Sequence, residues 1–377
     1  MNGDRIAELT LSSVTLPLKQ AISDAKVLTG RQRPMTEVVF LFAEIRTQNG
    51  LAGLGFGYSK RAGGRAQFVH AADIAAELVG EDPSDIGRLW TKLVWAGASV
   101  GRGGVATQAI AAIDVGLWDL KAKRAGLPLA KLLGAYRDSV RCYDTSGGFL
   151  HESIDQVLDN ADASRARGVD GIKIKVGHPS LAVDVARVRA LREHLGDGVP
   201  LMVDANQQWD RHSARRAGRA LGEFDLVWIE EPLDAYDAEG HAALARSLET
   251  PIASGEMLTS VAEHHELIRH RAVDVIQPDA PRMGGITQFQ RLAAVAEQQH
   301  LTLAPHFAME LHVHLAAAYP LEPWVEHFDW LHPLFNERLT ISDGRIHLSD
   351  RPGLGFTLSD QARAWTTDRV DIREGIR

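Results

Sequence analysis

From about residue 139 onward the chain repeats one pattern, a short apolar run followed by an amphipathic helical window. The runs cover 140–147, 171–177, 200–206, 226–232, 251–257, 273–279, 301–306 and 323–328. They recur at intervals of roughly 20–30 residues, the length of a βα unit. Eight strands at that interval predict a parallel (β/α) barrel, an α/β architecture. Nearly every run closes on a polar residue: Lys173 and Lys175, Asp204, Glu230, Glu256, Asp279, His306 and Glu326. In a parallel barrel the C-terminal strand ends converge on one mouth, where active sites are built.

The chain begins differently. Residues 5–18 and 36–47 alternate and are β-branched, so they read as strands. Helical patterns follow near 66–79, 83–96 and 105–125. Polar segments at 20–34 and 57–64 carry Lys26, Lys60 and Arg61 and read as loops. Strands followed by helices make residues 1–138 an α+β unit. Residues 139–328 form the barrel, and 329–377 form a C-terminal segment predicted to return to the first unit.

With 41 basic and 49 acidic residues the net charge is −8, which excludes the basic footprint of a nucleic-acid binder. The single cysteine, Cys142, allows no intrachain disulfide framework and favours a reducing compartment. The start, Met1-Asn2-Gly3-Asp4-Arg5, is polar and lacks the pattern of a signal peptide. No apolar run approaches the roughly 18 residues of a membrane span. The expectation is a cytoplasmic protein with no nucleic-acid or membrane partner.

Asp204, Glu230 and Glu256 stand at equal intervals of 26 residues, one barrel unit apart. Three convergent carboxylates repel one another unless a cation neutralises them. Mg²⁺, which prefers oxygen ligands and keeps positions open, suits that role. Glu231 competes with Glu230 for it, and the equal spacing favours Glu230. Glu231 points to the other strand face and is expected to make a structural pair. Lys173 and Lys175 share a strand face, where two adjacent ammonium groups should depress one pKa and yield a basic lysine. Asp279 and His306 close consecutive strands 27 residues apart, and a carboxylate there would fix the imidazole tautomer. Glu326, facing metal-bound carboxylates, is expected to stay protonated and to donate to a developing oxyanion. His312 and His314 fall on a helical segment and read as packing or surface residues.

Together these groups suit removal of an α-proton from a carboxylate substrate to give a cation-stabilised enediolate. No nucleophile elbow or P-loop competes with that reading, and the glycines at 101–104 lack a dinucleotide-binding context.

The motifs KIK (173–175), VDAN (203–206), IEEP (229–232), SGEM (254–257), QPD (277–279), PH (305–306) and Glu326 resemble those of the enolase superfamily, mandelate racemase subgroup. The stretches DANQQWD, EEPLDAYD and APHFAMELHVHLAAAYPLEPW look closer still to its L-talarate/galactarate dehydratase family. The resemblance implies a (β/α)7β modified TIM barrel with an N-terminal α+β capping domain. It implies one Mg²⁺ on Asp204, Glu230 and Glu256, Lys175 as proton acceptor, and His306, oriented by Asp279, as its acid/base partner. Lys173 would contact the substrate carboxylate, Asn206 would support the metal-bound ligand, and Glu326 would stabilise the enediolate. Capping loops with Asp24 and Lys26, and with Lys60 and Arg61, would close over the substrate, their cations suiting the second carboxylate of an aldarate diacid. The implied reaction is dehydration of galactarate and L-talarate to a keto-deoxy diacid, with C2 epimerisation as a side reaction. A racemase or monoacid-sugar dehydratase (galactonate, gluconate) and a non-catalytic acid-sugar binding protein are the alternatives. The subgroup's habit implies a homo-oligomer, an octamer.

Overall fold

The computed structural model describes residues 4–374, so Met1–Gly3 of the polar start lie outside it. Strands β1 (Ile6–Ile22), β2 (Met35–Thr47) and β3 (Ala52–Lys60) form an antiparallel sheet with three helices, Gly64–Ala75, Ile86–Ala96 and Val105–Ala125.

β3 corrects the loop expected at 57–64, since the strand runs on to Lys60. Its sequence, AGLGFGYSK, alternates glycine with Leu54, Phe56 and Tyr58. In a strand that alternation makes one face bare. The bare face, Gly53, Gly55 and Gly57, lies against the buried helix Val105–Ala125. A Cβ on Gly55 would overlap the backbone of Ala112 and Gly116. The other face carries Phe56 onto Phe335 (ring centroids 6.0 Å apart) and Tyr58 onto Phe307 (4.9 Å). Glycine thus serves helix–sheet contact here, and the strand aims Tyr58 and Lys60 at the barrel mouth. Gly55→Ala is expected to destabilise the protein by about 3 kcal/mol, the upper range of overpacking. A thermal or urea midpoint unchanged by that substitution would contradict the packing described.

The eight expected barrel strands are all present: β4 (Ser139–Asp144), β5 (Gly171–Lys175), β6 (Leu201–Asp204), β7 (Ile229–Glu230), β8 (Ile252–Ser254), β9 (Val275–Ile276), β10 (Thr302–Leu303) and β11 (Trp324–His327). β4 to β10 pair in chain order, all parallel, and β11 returns to pair with β4. Helices follow β4 to β10, whereas β11 leads only to a short 3₁₀ segment, Asp329–Leu334. This is the (β/α)7β pattern. Tyr143, Met202, Trp228, Ala253, Val275, Ala304 and Trp324 fill the interior. Two residues on, past Met202, Trp228 and Trp324, the same strand face presents Asp204, Glu230 and Glu326. The apolar plug therefore floors a charged layer.

The C-terminal segment behaves differently from expectation in its first part. Strands β12 (Thr340–Ser342) and β13 (Arg345–His347) form a hairpin that joins the barrel, β13 pairing antiparallel with β4. Only then does β14 (Thr366–Arg373) return to pair with β1. Asp119 ties the pieces together, accepting from the Leu54 and Leu354 backbone N–H groups, each at 2.7 Å. Among the described residues no helix is long and apolar enough to cross a membrane.

Candidate active site

Asp204, Glu230 and Glu256 end consecutive strand units and are buried, with one oxygen from each lying within 4.8 Å of the others. Asp204 Oδ1 accepts from the Asn206 backbone N–H (2.7 Å) and Oδ2 from Asn206 Nδ2 (3.0 Å). Asn206 reaches both because its φ is +45°, a conformation that asparagine tolerates. Glu230 accepts from Lys173 Nζ (2.6 Å), Trp228 Nε1 (3.0 Å) and Gln277 Nε2 (2.7 Å). Burial, with Asp204 and Glu256 nearby, pushes Glu230 up to about 8 against the pull of Lys173. Such a donor set, all oxygen and excess in negative charge, fits a hard divalent cation.

The two lysines differ from expectation. Lys173 donates to Glu230 and, at 2.9 Å, to Glu326, while Lys175 donates to Asp204. Burial alone would lower both pKa values, but the carboxylates outweigh it and hold both raised. Mutual repulsion of the ammonium groups is the weaker effect, since each has an anion in direct contact.

Glu326 is also a correction. It accepts from Thr145 Oγ1 (2.8 Å), Lys173 and the Phe307 backbone N–H (2.8 Å). Burial would raise its pKa, but Lys173 foremost, then His306 and Lys175, hold it at about 2. It is an ionised acceptor here, not the protonated donor expected from sequence.

His306 Nδ1 donates to Asp279 Oδ2 at 2.7 Å. Its Nε2 is thereby left free as an acceptor, 3.3 Å from Lys60 Nζ and 3.4 Å from Glu256 Oε2. Lys175 and His306 stand on β5 and just after β10, strands on different sides of the ring. Both line one cavity of about 330 Å³. Glu256, Asn206, Glu326, Asp24, Lys26, Lys60 and Arg61 line it too. Asp204, Glu230, Asp279 and Lys173 lie behind its wall. The Lys173 ammonium is held there between two carboxylates, Glu230 and Glu326. Arg61 is engaged as well, pairing with Asp24 (3.3 Å) and donating to the Arg33 carbonyl (3.0 Å).

Residues 27–134 match the mandelate racemase / muconate lactonizing enzyme N-terminal domain, and 156–362 the enolase C-terminal domain-like family. The chain belongs to the enolase superfamily. Within the mandelate racemase/muconate lactonizing enzyme family it is 64% identical over 364 residues to the L-talarate/galactarate dehydratase of Salmonella typhimurium, spanning 97% of this chain and 92% of that one. The crystal structure of that dehydratase with Mg and L-lyxarohydroxamate superposes with a TM-score of 0.98 at 62% identity, over 99% of this chain and 95% of the other. The L-talarate dehydratase from Polaromonas sp. JS666, complexed with Mg and L-glucarate, matches at 68% identity and a TM-score of 0.96, over 98% and 100% of the two chains.

This family member carries polar partners that sequence reasoning passed over. Gln277, Trp228 and Thr145 hold the carboxylates, and the first two stand two residues before Asp279 and Glu230, a strand-face spacing that was a usable signal. Glu231 is buried at φ +41° and accepts from Gln207 Nε2 at 2.9 Å, a neutral partner. His312 and His314 are buried packing residues, each bonded to two backbone groups. Tyr58 had no local signal. Its hydroxyl donates to Asp279 Oδ2 and lies 3.3 Å from His306 Nδ1. The capping sheet thereby braces the barrel's histidine–aspartate pair. Tyr58→Phe should lower kcat by roughly 10-fold or more, the scale of losing a group that orients a reactive histidine, with an unchanged unfolding midpoint. A wild-type kcat in that variant would remove Tyr58 from the machinery.

Proposed function

We propose that this protein is a Mg²⁺-dependent hydro-lyase that dehydrates galactarate and L-talarate to a keto-deoxy diacid. The observation that carries the reading is one cavity lined by both Lys175 and His306, beside a trio of buried carboxylates. The named activities of the relatives in Salmonella typhimurium and Polaromonas support the substrate.

In this reading Asp204, Glu230 and Glu256 hold Mg²⁺, which supplies charge stabilisation to the enediolate and relieves the lysines as counter-charge. Lys175 or His306 Nε2, according to the C2 configuration, takes the α-proton. Asp279 and Tyr58 keep the His306 proton on Nδ1, so that Nε2 is the nitrogen that exchanges protons with substrate. His306, as the imidazolium, donates its Nε2 proton to the departing 3-hydroxyl; it takes that proton from C2 when it is the base and from solvent when Lys175 is, and the resulting enol ketonises. Bases on two sides also predict C2 epimerisation as a side reaction. Lys173 would contact the reacting carboxylate and Asn206 would support the metal-bound ligand, while Glu326 holds Lys173 in place, and Asp24, Lys26, Lys60 and Arg61 border the far end of the substrate.

Lys60 gives this scheme a pH signature. Burial pushes its ammonium down to about 8, against the pull of Glu256, Glu326 and Asp279. It is charged below that pH and neutral above, so its attraction for a substrate carboxylate is lost as pH rises through 8. The expected profile of kcat/KM falls above pH 8, and Lys60→Arg moves that limb upward. A limb that stays in place in the arginine variant assigns it to another group.

Assembly into a homo-oligomer, an octamer, and a place in the cytoplasm belong to the same proposal. The superfamily resemblance supports the first, and the single thiol Cys142, buried and unpaired, is compatible with the second. Light scattering tests the assembly. The activity itself is tested by keto-acid formation over a panel of mono- and diacid sugars. Turnover of galactarate and L-talarate is the expected result. Turnover of monoacids alone would keep the chemistry and discard the substrate, and ligand binding without product would favour a binding protein.

A further inference from the structure

The cavity holds one guanidinium that the structure leaves without a partner. Arg282 sits on the short helix Ala280–Met283, directly after β9, where Asp279 Oδ1 accepts from the Arg282 backbone N–H at 3.2 Å. The side chain is largely buried and lines the same cavity as Lys175, His306 and Lys60. Its Nε is buried with no hydrogen-bond partner. Among the described residues the guanidinium takes part in no ion pair.

The neighbouring cations make the contrast. Lys173 and Lys175 are held by carboxylates, Arg61 by Asp24, and Lys60 stands against His306 Nε2 and, at 4.5 Å, over the Phe307 ring. Lys26, like Lys60, forms no ion pair among the described residues, but both stand on the capping domain, whereas Arg282 is anchored to the barrel.

A buried charged group without a partner is costly, and such groups persist where a ligand completes them. The negative charges of Asp279, Glu256 and Glu231 keep the guanidinium protonated against the effect of burial. Among the described residues none of these carboxylates is paired with the guanidinium, so the fork that binds a carboxylate through two parallel N–H groups is unused.

We infer that Arg282 is a specificity-determining residue, a guanidinium that grips the carboxylate remote from the reacting one and so selects diacids over monoacids. The inference rests on the dehydratase reading above. It places the choice of substrate on the barrel rather than on the capping loops alone. A monoacid with a primary alcohol at that end would leave the fork unsatisfied and pay for the burial without return.

The test is binding to the Mg²⁺-loaded Lys175→Ala protein, whose turnover is expected to be about 10³–10⁴-fold slower, slow enough for binding to be read first. Galactarate is compared with galactonate, which carries an alcohol at the far end. Arg282→Met in that background should weaken galactarate roughly 10–150-fold, the worth of charge-assisted hydrogen bonds. Galactonate should change less than about 3-fold, so that the two ligands come close in affinity. Arg282→Lys should recover part of the galactarate affinity, and it decides the matter if the methionine variant does not fold. Equal weakening of both ligands, or galactarate affinity that neither variant alters, would overturn the inference. Failure of galactarate to bind the protein with Arg282 intact would instead overturn the dehydratase reading.

Discussion

Replacing Lys175 by alanine is expected to lower galactarate turnover by about 10³–10⁴-fold, the upper range for a general base. His306→Asn should do the same. The fold should survive both changes. Without Lys175, Asp204 still accepts two hydrogen bonds from Asn206. Without the imidazole, Asp279 still accepts from Tyr58. The two variants should differ in one respect. With bases on different sides of the mouth, each ought to keep solvent exchange of the α-proton for one C2 epimer only. Mass spectrometry of substrate recovered from D₂O reads that directly. Full dehydration by either variant would end the two-base scheme.

Chelation should have an effect as large. EDTA is expected to abolish turnover, and added Mg²⁺ to restore it, because the enediolate then loses its stabilising cation. The protein should nonetheless stay folded. Lys173 and Lys175 already lie among Asp204, Glu230 and Glu326, and they offset part of the repulsion. Mg²⁺ at a hundred times its dissociation constant would add about 2.7 kcal/mol of stability. A higher unfolding midpoint with Mg²⁺, together with reversible loss of activity, is the expected pair of results. Turnover indifferent to EDTA would contradict the metal site.

Much of this site was legible in the chain. The three carboxylates at intervals of 26 residues, the eight apolar runs and the polar residues that close them need only strand and barrel periodicity to be read. Those residues converge because each occupies the same place in its own βα unit. Spacing could not give the charge states. Lys173 and Lys175 look like mutually repelling neighbours in sequence, yet the anions that decide their protonation arrive from other strands. Glu326 was misjudged for the same reason, since Lys173 and the Phe307 backbone meet it only in the fold.

The sequence by itself determined the barrel, its register of functional strand ends and the chemical type of each ligand, because these follow from local repetition. The tertiary structure alone decided which groups touch. It turned a glycine-rich segment into β3, since bare Cα atoms reveal their purpose only once a helix lies on them. It sent Tyr58 from the capping sheet to the barrel's histidine–aspartate pair, inserted the β12–β13 hairpin beside β4, and left Arg282 facing the cavity with no anion of its own. A hydrogen bond or an ion pair depends on the distance between two groups, and for residues far apart in the chain that distance exists only after folding.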